Sequence, residues 1–251
     1  MASSVKVKEK KRRRKPTHAQ VVAAAATLPG LVLLASRGRL PRFAQAALYH
    51  TALSGFVVAI ASTKALCART VSLFGKTAKG SLGIANQLAF LPFQCAIRLK
   101  LLYRRQLGTE PLYDHIVDNY YIGGWPNAQE SLPASDCAVV DCTCELPRRH
   151  RNPYLCCATW DTQSPSVESY EEGVAFAKEQ RRGSDRPVLV HCAHGHGRSA
   201  AMLCAILISE GKASSIDEAQ AMIKRRRPRV GLNANQREGL ERWFSQRCKR
   251  A

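Results

Sequence analysis

A chain of 251 residues, 45% of them hydrophobic, can hold one large domain or an ordinary domain with a long appendage, and wholesale disorder is excluded. The formal charge of +19 is uneven: residues 1–110 hold 19 of the 38 Lys/Arg against only Glu9 and Glu110, and residues 111–251 set the other 19 against 17 acids. The basic pI therefore belongs to the N-terminal region and makes no case for a nucleic-acid partner. Ten cysteines in so long a chain, spaced as Cys142-x-Cys144 and Cys156-Cys157, exclude a small disulfide scaffold and do not match a zinc pattern. Reduced thiols in a cytosol-like compartment are the simpler reading.

The chain opens with a basic run from Lys6 to Lys15, and residues 1–18 are read as a disordered tail. Three apolar stretches follow. Residues 19–36 are rich in Ala, Val and Leu but broken by Pro29-Gly30. Residues 43–63 carry no formal charge and nearly reach the ~20 residues needed to cross a bilayer. Residues 81–97 are apolar, with Asn86, Gln87 and Pro92 inside. Basic residues flank every stretch and suit anionic headgroups, so residues 19–105 are read as an apolar helical membrane anchor. The alternatives are a soluble helical subdomain or a cleaved targeting peptide. With the N-terminus and the C-terminal half both on a reducing, cytosolic side, the number of spans must be even. A hairpin of the first two stretches, with the third lying at the interface, meets that condition.

After Arg105 the texture becomes that of an α/β domain, residues 110–248. Residues 113–123 read as short strands ending at Gly123-Gly124. Residues 137–141 and 154–160 are β-rich runs of strand length. Residues 166–182 show helical periodicity with Ser166 as a cap, residues 187–191 form an apolar strand, and helices are expected from Gly197 to Ser209, at 215–226 and at 233–246. Strands alternating with helices predict a central, mostly parallel sheet flanked by helices.

The strand Val188-Leu189-Val190 runs into Cys192, five residues lead to Arg198, and an apolar helix follows. Gly195 and Gly197 allow successive N–H groups to face inward as an anion nest, to which the helix adds its N-terminal N–H groups and dipole. Ala193, His194, Gly195, His196, Gly197 and Arg198 would surround a phosphate. The same field favours a thiolate at Cys192. Arg198 can hold two phosphoryl oxygens, and Ser199 is placed to donate to the Cys192 sulfur. The loop supplies the positive charge, so no metal or cofactor is called for.

His-Cys-Ala-His-Gly-His-Gly-Arg-Ser, residues 191–199, resembles the signature loop of the cysteine-based protein tyrosine phosphatase superfamily. The compact domain of about 140 residues resembles its dual-specificity branch. The resemblance covers roughly residues 111–247. It implies Cys192 as nucleophile, Arg198 as phosphate ligand and His191 as a support beneath the loop. It also points to Asp161, on a loop 31 residues before Cys192, as general acid, with Asp141 left as a structural carboxylate. Asn233 is the candidate to brace the signature loop, and Cys142 or Cys144 could shelter the nucleophile in a reversible disulfide. The basic segment 224–229 is read as an ordinary helix C-terminus. Phosphoinositide-selective relatives tend to carry lysines at the loop positions where this chain has His194 and His196. Phosphoproteins are therefore the first substrate expectation and a phospholipid headgroup the second. A phosphate-binding pseudoenzyme is the third.

Overall fold

The computed structural model describes residues 16–249. All but the last three residues of the basic tail expected at 1–18 fall outside them; of the three, His18 already begins the first helix. The N-terminal region is helical: α1 (His18–Ser36), α2 (Arg42–Ala61), the short α3 (Cys67–Thr70), α4 (Ile84–Ala89) and α5 (Leu91–Leu107). Then come β1 (Tyr113–Val117), β2 (Tyr120–Gly123), β3 (Ala138–Asp141), β4 (Tyr154–Cys156), α6 (Val167–Arg181), β5 (Val188–His191), α7 (Arg198–Ser209), α8 (Ile216–Arg226) and α9 (Ala234–Cys248).

The strands form one five-stranded sheet in the order β1-β2-β5-β3-β4. Only β1 and β2 pair antiparallel; β2–β5, β5–β3 and β3–β4 are parallel, so the sheet is mixed and mostly parallel, as the alternating pattern predicts. The run 113–123 folds as a hairpin whose two-residue turn, Asp118-Asn119, takes positive φ at both positions, a conformation that Asp and Asn tolerate. The strand expected over 154–160 stops at Cys156, and its remainder is the loop that carries Asp161. Helix α7 is buried almost throughout. It packs in a core made by β2, β3 and β5 on one side and α6, α8 and α9 on the other, which fixes the residue at its N-terminus, Arg198, to the sheet.

One expectation for the apolar stretches is corrected. Pro29 does not break the first one: α1 runs through it. Its interior is held by close packing on α2, where a Cβ on Gly55 would stand only 2.7 Å from the Ala26 Cβ, so small residues let the two backbones approach. The third stretch is not one helix. It divides at Phe90, and α5 starts afresh with Pro92 in its first turn, where a missing N–H costs nothing. Helices α1 and α2 form an antiparallel hairpin; each is long and apolar enough to cross a membrane. Every exposed large hydrophobic among the described residues lies between Val21 and Leu107.

The segment between α2 and α5 is bound to the α/β half. Val58, Ala61, Phe74, Leu82 and Phe90 share a buried cluster with Cys144 and Trp160, and Phe74 packs 5.3 Å from the Trp160 ring. Gln163 donates to the Ser62 carbonyl (3.0 Å) and the Trp160 indole N–H to Thr70 Oγ1 (3.2 Å). Lys76, buried, is bonded to Asp141 Oδ2 at 2.6 Å and to the Thr143 carbonyl at 2.6 Å.

Candidate active site

Strand β5 delivers Cys192 to the carboxyl edge of the sheet, and the chain curls through Ala193–Gly197 before α7 begins. Gly195 must be glycine: its φ is +77°, and a Cβ there would stand 2.5 Å from the Gly123 backbone. The curl turns backbone N–H groups toward the sulfur, and Gly195 N lies 3.3 Å from Cys192 Sγ. Ser199 Oγ donates to the same sulfur at 3.4 Å. Burial alone would push the Cys192 thiol up. The Arg198 guanidinium, the Ser199 hydroxyl and the backbone N–H groups of Ser199 and His194 outweigh it, and the net direction is down, toward the thiolate.

Arg198 is buried and held on one side. Its Nη1 donates to Glu145 Oε2 (2.9 Å), the Thr159 carbonyl (2.7 Å) and the Cys142 carbonyl (3.3 Å), and its Nη2 to Glu145 Oε1 (2.7 Å). The fork is thus not free as a whole. Nε has no partner, and Nη2 has only the further contact to Asp161 Oδ1 at 3.4 Å. That edge, Nε with Nη2, is the one left to meet two oxygens of an anion. Glu145, which fixes the orientation, gives no sequence signal beyond being one of many acids.

Asp161 follows Trp160, whose ring is buried against Phe74. Its side chain remains 41% exposed and faces Arg198 and, at 3.7 Å, His18 of α1. Burial would push the carboxyl up, but Arg198 together with His18, His194 and the Thr162 N–H outweighs it, so in the free chain Asp161 is held below its ordinary value. Asp141 has no access to the loop's interior. Buried, it accepts from Lys76, Tyr154 (2.8 Å) and the Thr143 N–H (2.8 Å) and lies 3.6 Å from His191 Nε2. It is the structural carboxylate expected. His191 is buried beneath the loop, its Nδ1 3.3 Å from the Cys192 carbonyl oxygen. Burial holds it toward the neutral form.

Asn233 is not under the signature loop. It caps α9, accepting from Gln236 N at 3.0 Å, and its amide donates to the Thr162 carbonyl at 2.9 Å, so it braces the Asp161 loop instead. The residue in contact with the outer face of the signature loop is Arg227. Buried, it donates from Nη2 to the His194 carbonyl (2.9 Å) and from Nε to the Gly195 carbonyl (3.1 Å), and it is anchored by Asp114 and the Pro111 carbonyl. The basic segment 224–229 is therefore more than a dipole complement at this one position. By fixing two carbonyls outward, Arg227 keeps their peptide N–H groups inward. His196 turns away to Glu110 (2.7 Å) and stacks with His194 at 6.0 Å. Burial and the nearby Arg104 and Lys100 push His194 down to about 4, so it is uncharged at neutral pH.

A cleft of about 280 Å³ leaves the loop from Asp161, Ala193 and His194. Its walls are Val21, Val22 and Ala25 of α1, Thr51 and Gly55 of α2, and Phe93, Ala96 and Ile97 of α5, with Lys100 at one side. A second, polar cleft of about 650 Å³ runs from Ala193 and His194 past Arg104, Arg105, Arg227 and Arg229.

A nucleophilic thiolate in an anion nest, closed by a buried guanidinium at the edge of a mostly parallel sheet, defines a cysteine-based phosphatase site. The family model for the dual specificity phosphatase catalytic domain matches residues 121–246, half of the chain, and the chain belongs to that family. The dual specificity protein phosphatase OPG106 of vaccinia virus (strain Copenhagen) is 32% identical over 106 residues, which is 40% of this chain and 61% of that protein. The dual specificity protein phosphatase H1 of variola virus is 29% identical over 117 residues, 44% of this chain and 67% of that protein. The chain thus spans about three fifths to two thirds of these relatives. Among solved structures, PTPMT1 in complex with PI(5)P is 24% identical, with 55% of this chain and 98% of that one covered and a TM-score of 0.49. A mutant form of Tk-PTP is 28% identical, with 56% and 99% covered and a TM-score of 0.48.

Proposed function

We propose that this chain hydrolyses phosphomonoesters through a phosphocysteine on Cys192. The observation that carries the reading is the sulfur itself, 3.3–3.4 Å from Gly195 N and Ser199 Oγ and held toward the thiolate by Arg198, whose Nε has no partner. The thiolate attacks phosphorus in line, and the ester oxygen leaves with the proton of Asp161. Asp161, then a carboxylate, takes a proton from water as the water attacks the phosphocysteine, and Ser199 stabilises the departing thiolate. Arg198 and the nest hold the equatorial oxygens in both steps.

The order of events assigns Asp161 two environments. Arg198 holds it as a carboxylate in the free chain. An entering phosphate takes over the Nε–Nη2 edge, and its negative charge raises Asp161 toward the protonated state that a general acid requires.

The membership of the family and the names of the viral relatives support phosphotyrosine and phosphoserine/threonine on proteins as substrates. The cleft that leads from Asp161 between α1, α2 and α5 favours a second reading, a phosphate on a lipid, with residues 19–105 attached to a membrane and the catalytic half on its cytosolic side. The chemistry is tested with p-nitrophenyl phosphate. Cys192→Ser is expected to abolish turnover, and Asp161→Asn to reduce kcat by about 10²–10⁴-fold. Unchanged rates in both would overturn the mechanism.

A further inference from the structure

The apolar cleft is continuous with the site of chemistry. One end is made by Asp161, Ala193 and His194, and the walls are the aliphatic and aromatic side chains of α1, α2 and α5. A phosphoprotein has no use for such a channel, since the chain around a phosphorylated residue is polar and needs partners for its backbone groups. An alkyl chain needs none.

Three further observations bear on the occupant. First, two of the three walls, α1 and α2, are the helices long and apolar enough to cross a bilayer. At 1.5 Å per residue, each is about 28–30 Å long, close to the hydrocarbon thickness. The start of α1, at His18, stands beside Asp161, and the end of α2, at Ser62, beside Gln163. A bilayer around the hairpin therefore has the phosphate loop at its surface. Second, no carboxylate occurs between residues 10 and 109, where basic residues recur, as an anionic lipid surface favours. Third, the signature loop has no lysine, yet Lys100 lines the cleft beside His194 and Asp161. Helix α5 thereby adds at the cleft a second cation beside the Arg198 guanidinium.

We propose that this cleft receives the acyl chain of a membrane phospholipid that ends in a phosphomonoester, its phosphate lying in the loop 192–198. The proposal rests on the phosphatase reading of that loop. The lipid slides in from the bilayer between α1 and α5, its chain against Ala25, Phe93 and Ala96 and its phosphate passing Lys100 to reach Cys192.

The test uses the full chain in lipid nanodiscs and a series of monoalkyl phosphates from four to ten carbons, with p-nitrophenyl phosphate as the chainless reference and a phosphotyrosine peptide as the protein-like one. The expected result is a rise in kcat/KM of about fourfold per methylene, the ratio given by ~0.8 kcal/mol per buried CH₂, levelling off once the cleft is full. Partition into the bilayer also favours longer chains, so the cleft is then filled from either wall with Ala25→Trp or Ala96→Trp. Both residues are exposed, line the cleft from α1 and α5, and lie outside the loop 192–198. The variants should keep p-nitrophenyl phosphate turnover and lose at least tenfold on the ten-carbon substrate. Inhibition of the unaltered chain by alkylphosphonates of the same lengths, read against p-nitrophenyl phosphate, gives the chain dependence without any variant. A flat chain series in turnover and inhibition overturns the proposal, as does a chain dependence unchanged by both tryptophans or a phosphopeptide preferred to every alkyl phosphate. Absence of p-nitrophenyl phosphate turnover by the unaltered chain would overturn the phosphatase reading itself, a different outcome.

Discussion

Arg198 shows how one side chain is divided between structure and chemistry. Its Nη1 is consumed by Glu145, Thr159 and Cys142, Nη2 is shared between Glu145 and Asp161, and the Nε–Nη2 edge alone keeps an N–H without a partner. Glu145→Gln should loosen that edge and lower kcat/KM for p-nitrophenyl phosphate by about 10²-fold, the scale of a misplacement near 1 Å. A loss under twofold would remove Glu145 from the machinery. The proposed mechanism also fixes a pH signature. Activity requires Cys192 ionised and Asp161 protonated, so rates rise as the thiol titrates, below its ordinary range, and fall as Asp161 deprotonates. Because Arg198 depresses Asp161 in the free chain and a bound phosphate raises it, the falling limb of kcat/KM should lie at lower pH than that of kcat. Asp161→Asn should erase the limb from both profiles. Coincident limbs would refute the two environments. Cys142 follows β3 in register with Cys192, its N–H bonded to the His191 carbonyl at 2.9 Å, and both side chains share one core cluster, whereas Cys144 belongs to another. If peroxide closes a protective disulfide, mass spectrometry should find Cys192 joined to Cys142 and never to Cys144.

At the scale of elements, the informative contact is between the turn after α3 and the end of β3. Lys76 and Asp141 are both 1% exposed and 2.6 Å apart. Removing one partner strands the other charge in the interior, so Lys76→Met should cost about 3–5 kcal/mol in chemical unfolding, and Lys76→Met with Asp141→Asn should restore much of it. The pH dependence follows from the directions of the shifts. Burial opposes ionisation of Asp141, but Lys76, His191 and hydrogen bonds hold its carboxyl low; that stability is present above about pH 4 and lost as pH falls further. Burial likewise opposes the Lys76 cation, and Asp141 together with Cys156 and Glu145 outweighs it, so the lysine's share is full at neutral pH and lost only above about pH 10. Stability measured from pH 5 to 9 should owe no slope to this pair. A double variant no more stable than Lys76→Met alone would deny the coupling.

For the whole molecule, the proposed membrane attachment predicts that full-length protein stays in the membrane pellet through high-salt and carbonate washes. Extraction by salt alone would exclude a spanning hairpin. The sequence made some of this architecture legible and hid the rest for a physical reason. The phosphate loop was readable because strand, glycines, Cys192, Arg198 and helix are contiguous, so local rules apply, and Asp161 because a strand and a helix bracket it. Glu145, Arg227 and Lys76 act across 53, 33 and 65 residues of chain. A single charged residue announces no partner at such a distance. Asn233 was expected to brace the signature loop, and it caps α9 and holds Thr162 instead. Helix α1 runs on through Pro29 because packing between helices, which propensity cannot see, decides the outcome.

The family match begins at residue 121, yet the lysine that neutralises Asp141 sits 45 residues before it. The phosphatase domain is therefore no self-contained cassette. A recombination or splicing event that joined residues 110–248 to a different N-terminal half would inherit the loop, the acid and the arginine. It would also inherit an interior carboxylate with no cation to meet it. Residues 110–248 and the stretch from Ser62 to Phe90 share one interior.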